Sequence, residues 1–444
     1  MQISPLFEEY QRRLRKITPT YIESYKKVLK EVQASAITYK GQPLDFLYQP
    51  IFLTSADMEN FRNLIKTING ILAKIMKRYL EDSAFRAYFG FSPLLEKLIL
   101  KDPGYSVDVP MARFDVFYSL KNGKFQFCEL NTDGSSAMTE QQELARIFKT
   151  SYALESFSLK YAFADFELLE SWVEIVKKNY EEYSKSQILP QVAIVDWLDG
   201  EPPSEFIEFQ KAFERAGCRT ILVDPRQLTY RGGKLYYNDF RIDCVYRRAV
   251  TWEVVERADY VRPFIDAYLA GDVCVIGPFR SQIVHNKILF ALLHDPEKTG
   301  FLTNGERIFI KNHIPYTAVF DIRQADLVKQ TIDYKDTLII KPMDRYASKG
   351  VYPGQDYSRE EWMHLLQEEA QAEYLVQEFC RVPKIPMAFF GEDEVDFIST
   401  NYLIGLFIYN GNLQGILTRA ATKNIIGVDA QSYTLPNFLT IPRG

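Results

Sequence analysis

Apolar residues recur at helical spacing through the first part of the chain. Phe61, Leu64, Ile65, Ile68, Ile71, Leu72, Ile75, Met76 and Tyr79 fall on one face of a helical repeat. Such a face is packing surface, and residues 1–110 read as a helical N-terminal layer without chemistry of its own. Thr18 ahead of Pro19 reads as a cap and first helical turn. From Met111 the pattern changes to short strands, MARFDVFYSL and KFQFCELN, separated by the turn signal Asn122-Gly123. Helical patterning returns over Thr139 to Ser151 and Phe166 to Ser184, closing a segment 111–185.

A new unit, 186–276, starts with the apolar strand VAIV. It continues through a loop with Pro202 and Pro203, a helix reaching Ala216, and the strands TILVD, KLYYN and IDCVYRR. This is an open α/β arrangement, and it lacks the GxGxxG turn of a dinucleotide site. The last segment, 277–444, alternates helix and strand through NKILFALL, RIFI, LIIKP, YLVQEF, NYLIGLFIY and LQGILTRA. Several of its strands stop at a charged residue, where sheet-based sites collect ligands. The fold class is therefore α/β with α+β elements.

Composition narrows the function. The 444 residues are 47% hydrophobic and 25% charged, and 53 Lys+Arg against 58 Asp+Glu leave a net charge of −5. No whole-chain positive field attracts nucleic acid or anionic lipid, so small molecules are the expected partners. The five cysteines are scattered without a CxxC pair, and the four histidines have no zinc-ligand spacing. The N-terminus is charged and amphipathic, and no run of apolar residues is long enough for a membrane span. The expected setting is the reducing cytoplasm, away from any membrane.

The chemistry concentrates first in Arg113-Phe114-Asp115 and, across the turn, Glu129-Leu130-Asn131-Thr132-Asp133-Gly134-Ser135-Ser136. A three-residue loop Lys121-Asn122-Gly123 would set Asp115 opposite Glu129 and Arg113 opposite Asn131. Facing carboxylates repel unless a cation lies between them, and two carboxylates with an amide oxygen suit a hard ion such as Mg²⁺. A two-residue Asn-Gly turn would instead put Asp115 on the opposite face from Glu129 and Asn131, leaving a hairpin of solvated acids. The sequence leaves both registers open.

Further along, Lys341 ends the run Leu338-Ile339-Ile340 and opens a basic loop through Arg345 to Gly350, which places charge and backbone N–H groups where phosphates bind. The loop is not a Walker A sequence. Gln377-Glu378 ends an apolar strand able to offer backbone groups to an adenine edge and an acid to a ribose. Arg419 leaves a strand where a fixed guanidinium would stabilise charge developing on a phosphoryl or carbonyl oxygen. Taken singly, each also fits a surface loop, an ordinary strand end or a salt-bridge partner.

In this order the pieces resemble the glutathionylspermidine synthetase type of ligase, from about Arg113 to Pro436: RxD, ExN with a Ser-containing turn, NK, KP with a basic loop, QE, and TR before an Asn and a late Pro. The resemblance implies a circularly permuted ATP-grasp fold, with the 186–276 unit as an inserted, pre-ATP-grasp-like subdomain. It implies ATP and two Mg²⁺ ions as cofactors, the ions held by Asp115, Glu129 and Asn131. Arg113 would lie near the reacting carboxylate, and Lys341 and Arg345 would contact phosphate and intermediates. Gln377-Glu378 would be the adenine hinge, Arg419 the late arginine, and Lys287 the NK lysine. Lys311 joins the nucleotide-site candidates from its place at the end of the RIFI run, read as a strand.

The loop Lys-Pro-Met-Asp-Arg-Tyr-Ala-Ser-Lys-Gly departs from the family's Gly-Arg-Glu-Gly-like core, and of the family's glutathione-contacting serines only Ser135 and Ser136 have counterparts. The resemblance therefore implies an amide-forming ligase without extending to glutathione and spermidine as substrates. Arg247 and Arg248, ending the IDCVYRR run, join Ser135 and Ser136 as candidates for holding an anionic amino acid or peptide. The expected partners are a small carboxylate and an amine. A kinase using the same ATP site ranks second, and a non-catalytic scaffold third.

Overall fold

The computed structural model describes residues 5–35, 37–39, 41–344, 350–368, 373–380, 384–427 and 431–443. Thr54 starts the long helix Ser55–Glu81 through a capping box with Asp57, in which each satisfies a backbone N–H of the other. The nine apolar residues that define its sequence period are all buried, together with Met58. Two shorter helices, Pro5–Lys16 and Thr18–Ala34, precede it. Thr18 is the first residue of the second helix rather than its cap, and its hydroxyl donates to the Leu14 carbonyl. The N-terminal layer also contains strand. Ile51–Leu53 pairs in parallel with Asn437–Pro442, which pairs on its other side with Tyr161–Ala164.

The principal sheet is antiparallel and interleaves distant parts of the chain. Its order is Tyr433–Leu435, Asn412–Ala421, Val395–Tyr409, Met111–Tyr118 and Phe125–Asn131, with Ile385–Phe390 paired to the first half of Val395–Tyr409. Val395–Tyr409 and Asn412–Ala421 meet at Asn410-Gly411, both with positive φ, as a two-residue hairpin turn requires.

The register of the 111–131 hairpin settles the question the turn left open. Ser119 pairs with Lys124 across a four-residue loop in which Gly123 is left-handed. Tyr118 faces Phe125 and Val116 faces Phe127; the register then shifts, so that Asp115 faces Glu129 and Arg113 faces Asn131. The loop is one residue longer than a three-residue turn. The extra residue at Cys128, a β-bulge, restores the facing carboxylates.

Residues 192–276 form a separate parallel sheet in the order Cys274–Ile276, Cys244–Arg247, Val192–Val195, Thr220–Val223. Trp172, Phe209 and Phe213 pack around Tyr246 on its helical side. A further sheet, antiparallel, runs Thr317–Val319, Tyr374–Glu378, Leu338–Pro342 and Tyr352–Pro353. The RIFI run, expected as a strand, lies in the helix Asn304–His313, which a Thr303–Glu306 capping box initiates. All five cysteines are unpaired. Among the described residues no helix is long and apolar enough to cross a membrane.

The buried face of Ser55–Glu81 makes a direct prediction. Ile68 is fully buried and Lys66 exposed. Ile68→Ala is expected to lower unfolding stability by about 2–5 kcal/mol and Lys66→Ala by roughly 0.5 kcal/mol or less, as read from urea denaturation midpoints.

Candidate functional site

The paired hairpin gathers Arg113, Asp115, Glu129 and Asn131 on one face of the principal sheet. Arg113 grips both Asp115 oxygens, Nε at 2.8 Å and Nη2 at 2.9 Å, and its Nη1 donates to the Ser136 carbonyl at 3.0 Å. Asn131 donates its amide to Asp115 and to Glu129, each at 3.0 Å. Asp115 is buried. Space for the pair comes from Gly405, directly opposite Asp115 on Val395–Tyr409. A Cβ there would lie 2.9 Å from both Arg113 Cδ and Asp115 Oδ1. A lone glycine inside the apolar run LIGLFIY is the signal that would have identified this position.

Two lysines arrive from other elements. Lys287 Nζ lies 3.5 Å from Glu129, and its backbone N–H binds the Met343 carbonyl. Lys341, buried at the end of its strand, reaches the Cys128 carbonyl at the bulge, 3.4 Å away. Arg419 pairs with Glu140 at 3.2 Å and lies close enough to Asp115 to favour its ionised form. Glu140, in the first turn of Met138–Phe148, also influences Arg113 and is a third carboxylate of the site that no motif had marked.

Other expected positions are disposed differently. Gln377 is buried and donates to Thr317 Oγ1 at 2.8 Å, while Glu378 is exposed. Lys311 sits exposed in the last turn of Asn304–His313 rather than at a strand end, because the RIFI run is helical. Arg345 lies outside the described residues. Ser136 is exposed, whereas Ser135 is buried with its hydroxyl turned to the Asn131 carbonyl. Arg247 and Arg248 are interior. Arg247 pairs with Asp133 at 2.7 Å, each side chain 1% exposed, and Arg248 donates to the carbonyls of Gly134 and Ser135. The expectation that these arginines face an anionic substrate is therefore corrected: both are buried and turned onto the protein's own carbonyls and carboxylates.

Burial pushes the Glu129 carboxyl up, yet Lys287, the Asn131 hydrogen bond, Lys341 and Arg113 together outweigh it and hold it at about 2. Asp115 moves the other way, because burial raises it against the pull of Arg113. The facing acids are thus set apart by their surroundings. Among the described residues no group of three His, Cys, Asp or Glu side chains converges as a metal cluster. Yet the two carboxylates do converge on a single atom, the Asn131 amide nitrogen, which supplies the positive end that their charges require. Two carboxylates and an amide are oxygen donors suited to Mg²⁺, and in that chemical sense the residues fit the ion the motif implies.

Two outcomes follow from this packing. Gly405→Ala is expected to displace the Arg113–Asp115 pair and destabilise the fold by about 1–3 kcal/mol, measured by urea denaturation. Glu129 is held below its unfolded value of about 4.3, so its ionised form stabilises the fold above that pH and the stabilisation is lost as pH falls toward 2. Asp115, with a raised value, contributes with the opposite sign, and because Glu129 is one of the causes of that rise, the comparison of variant with wild type reads Glu129 together with its effect on Asp115. In metal-free buffer Glu129→Gln is expected to make the acid limb of the stability curve shallower by roughly 2 kcal/mol between about pH 5 and pH 2.

No family model and no curated protein matches the chain. Among solved structures it is similar to a glutathione synthetase-like effector, GSS30, from Globodera pallida in its apo form. The TM-score is 0.61 at 10% identity, covering 99% of this chain and 100% of that one. Weaker likenesses are to D-alanyl-alanine synthetase A from Vibrio cholerae, with TM-score 0.32, 11% identity, and 57% and 88% of the two chains covered. The ATP-grasp ligase PsnB complexed with minimal precursor gives TM-score 0.30 at 12% identity, covering 55% and 89%. The full-length likeness gives the chain the fold of that glutathione synthetase-like structure.

Proposed function

We propose that the chain is an ATP- and Mg²⁺-dependent carboxylate–amine ligase that forms an amide through an acyl phosphate, releasing ADP and phosphate. One observation carries this reading: Arg113, Asp115, Glu129 and Asn131 are packed together on a sheet face, with Lys287 and Lys341 converging on the same hairpin. Charged groups this close in a part-buried setting are costly for a chain to keep without a ligand that uses them. The circular permutation implied by the motif order belongs to the same reading, because the 111–131 hairpin precedes the Lys341 and Gln377 strands in the chain.

Asp115, Glu129 and the amide oxygen of Asn131 would hold Mg²⁺, and the ions when bound would neutralise charge on the nucleotide phosphates. The chain's own cations then act on the transferring group. Lys341 and Lys287 balance negative charge at the hairpin, Arg113 orients the reacting carboxylate, and Arg419 faces charge developing on the carbonyl and phosphoryl oxygens. Arg345 is assigned with Lys341 to the phosphate and the acyl phosphate. Because Gln377 is committed to Thr317, the exposed Glu378 is the member of that pair we assign to the nucleotide's ribose. The carboxylate substrate attacks the γ-phosphorus and ADP leaves; the amine then attacks the acyl carbon and inorganic phosphate leaves. The partners are a small carboxylate and an amine, with Ser136 exposed beside Arg113 to meet the former.

Calorimetry with a non-hydrolysable ATP analogue tests the site. Binding is expected to require Mg²⁺ and to weaken at least on the order of a hundredfold in Asp115→Ala, in keeping with losing a buried charge contact. Equal binding with and without the metal, or in the variant, would overturn the metal assignment. In turnover with amine and carboxylate mixtures, phosphate released in step with ADP marks ligation, whereas ADP without free phosphate marks a kinase.

A further inference from the structure

In an open parallel sheet, ligands collect outside the carboxyl ends of the strands, at the point where strand order reverses. Here that point lies between Val192–Val195 and Cys244–Arg247, because the chain proceeds from Val192–Val195 to Thr220–Val223 on one side and later returns to the other. The carboxyl edge is occupied by the protein itself. The turn Thr132 to Ser136, which directly follows Asn131, inserts Asp133 as an internal anion, and the sheet's arginines treat it as one.

The hold on that turn is dense. Arg247 binds Asp133 at 2.7 Å and also donates to the carbonyls of Gly277 and Ala249, each at 2.6 Å. Asp133 Oδ2 accepts from the Thr251 N–H at 2.6 Å. Arg248 donates to the Gly134 carbonyl at 3.2 Å and to that of Ser135, and lies 3.5 Å from Glu205. Glu205 in turn accepts from the N–H groups of Met138 and Thr139, at 2.8 and 3.2 Å. Thr132 donates its hydroxyl to the Ser281 carbonyl at 2.8 Å. Gly134 has φ +61, and a Cβ there would come 2.8 Å from Val250 Cγ1, so the turn fits its socket only with glycine at that place. The far side of the same turn carries the Ser136 carbonyl that fixes Arg113 Nη1, and its near end carries Asn131 between the two carboxylates.

We propose that Arg247 and Arg248 are positioning residues of the hairpin site: the ligand crevice of the parallel sheet serves as a socket for the turn 132–136, and through it sets Arg113 and Asn131 against Asp115 and Glu129. The proposal rests on the nucleotide–metal reading for its catalytic consequence, but the positioning itself is a property of the protein without ligand. It also accounts for two guanidinia that face no substrate, since their anion is part of the chain. Ion pairs this deeply buried stabilise little relative to apolar packing, and fixing a unique geometry is the role such pairs serve best.

Hydrogen exchange on the full chain without nucleotide tests it, using the near-isosteric Asp133→Asn, with Arg247→Lys and Arg248→Lys as second and third variants should that one fail to fold. Val245→Ala, fully buried in the same strand but without a hydrogen bond or ion pair to the turn, is the control for loss of packing alone. Exchange across residues 126–140 is expected to quicken on the order of tenfold or more in the turn variants relative to the control. Affinity for the ATP analogue with Mg²⁺ is expected to fall on the order of tenfold in the same variants, as misplacement of contact groups does. Exchange across 126–140 that matches the control in every folded turn variant would overturn the proposal. Failure of wild type to bind the analogue would remove the ligase reading instead, and the exchange comparison would still decide the positioning.

Discussion

Two carboxylates facing each other across a hairpin are the constraint around which the rest of this site is arranged. Asp115 and Glu129 are brought into register by a bulge at Cys128, where Asp115 is buried and Glu129 half-buried, so water screens their repulsion only in part. Every neighbouring choice answers that repulsion. Arg113 closes on Asp115, Lys287 approaches Glu129, the Asn131 amide lies between them, and Gly405 leaves the volume that Arg113 needs on the adjoining strand. The surroundings do not treat the acids alike, holding Glu129 ionised while burial works against Asp115.

Much of the architecture was legible because it follows local periodicity. The helix Ser55–Glu81 is marked by its apolar stripe, and the parallel strands of 192–276 by short apolar runs between turn residues. The hairpin's facing residues were legible as one of two registers, but the way they come to face was not. A longer loop and a compensating bulge give the same pairing as a shorter loop, and a bulge at a cysteine has no signature in a single sequence. The RIFI run misled because four apolar-rich residues do not distinguish helix from strand; the deciding signal, Thr303 with Glu306, lies just upstream.

Side-chain destinations were harder still. Arg247 and Arg248 end a strand where ligands bind, and only the fold shows that Asp133, far away in the chain, already occupies that place. Glu140 lies in a helix among other polar residues and gains meaning only when Arg419 is brought beside it by a strand from the opposite end of the chain. Periodicity describes which face is buried; it contains nothing about which distant charge will meet it. Long-range electrostatic pairs are therefore the part of a site that three dimensions must supply.

The strand Asn437–Pro442 lies between Ile51–Leu53 and Tyr161–Ala164, and Tyr433–Leu435 completes the edge of the principal sheet. During vectorial synthesis the amino-terminal layer emerges long before these partners exist. Its strand edges wait, unpaired, for residues that lie far later in the chain, and loop-closure entropy is met only once those have been made. The helices can form as they leave the ribosome, but the sheets that carry the hairpin are completed after it. Such a topology makes the nascent protein dependent on protection of those open edges, in the manner of other high-contact-order folds.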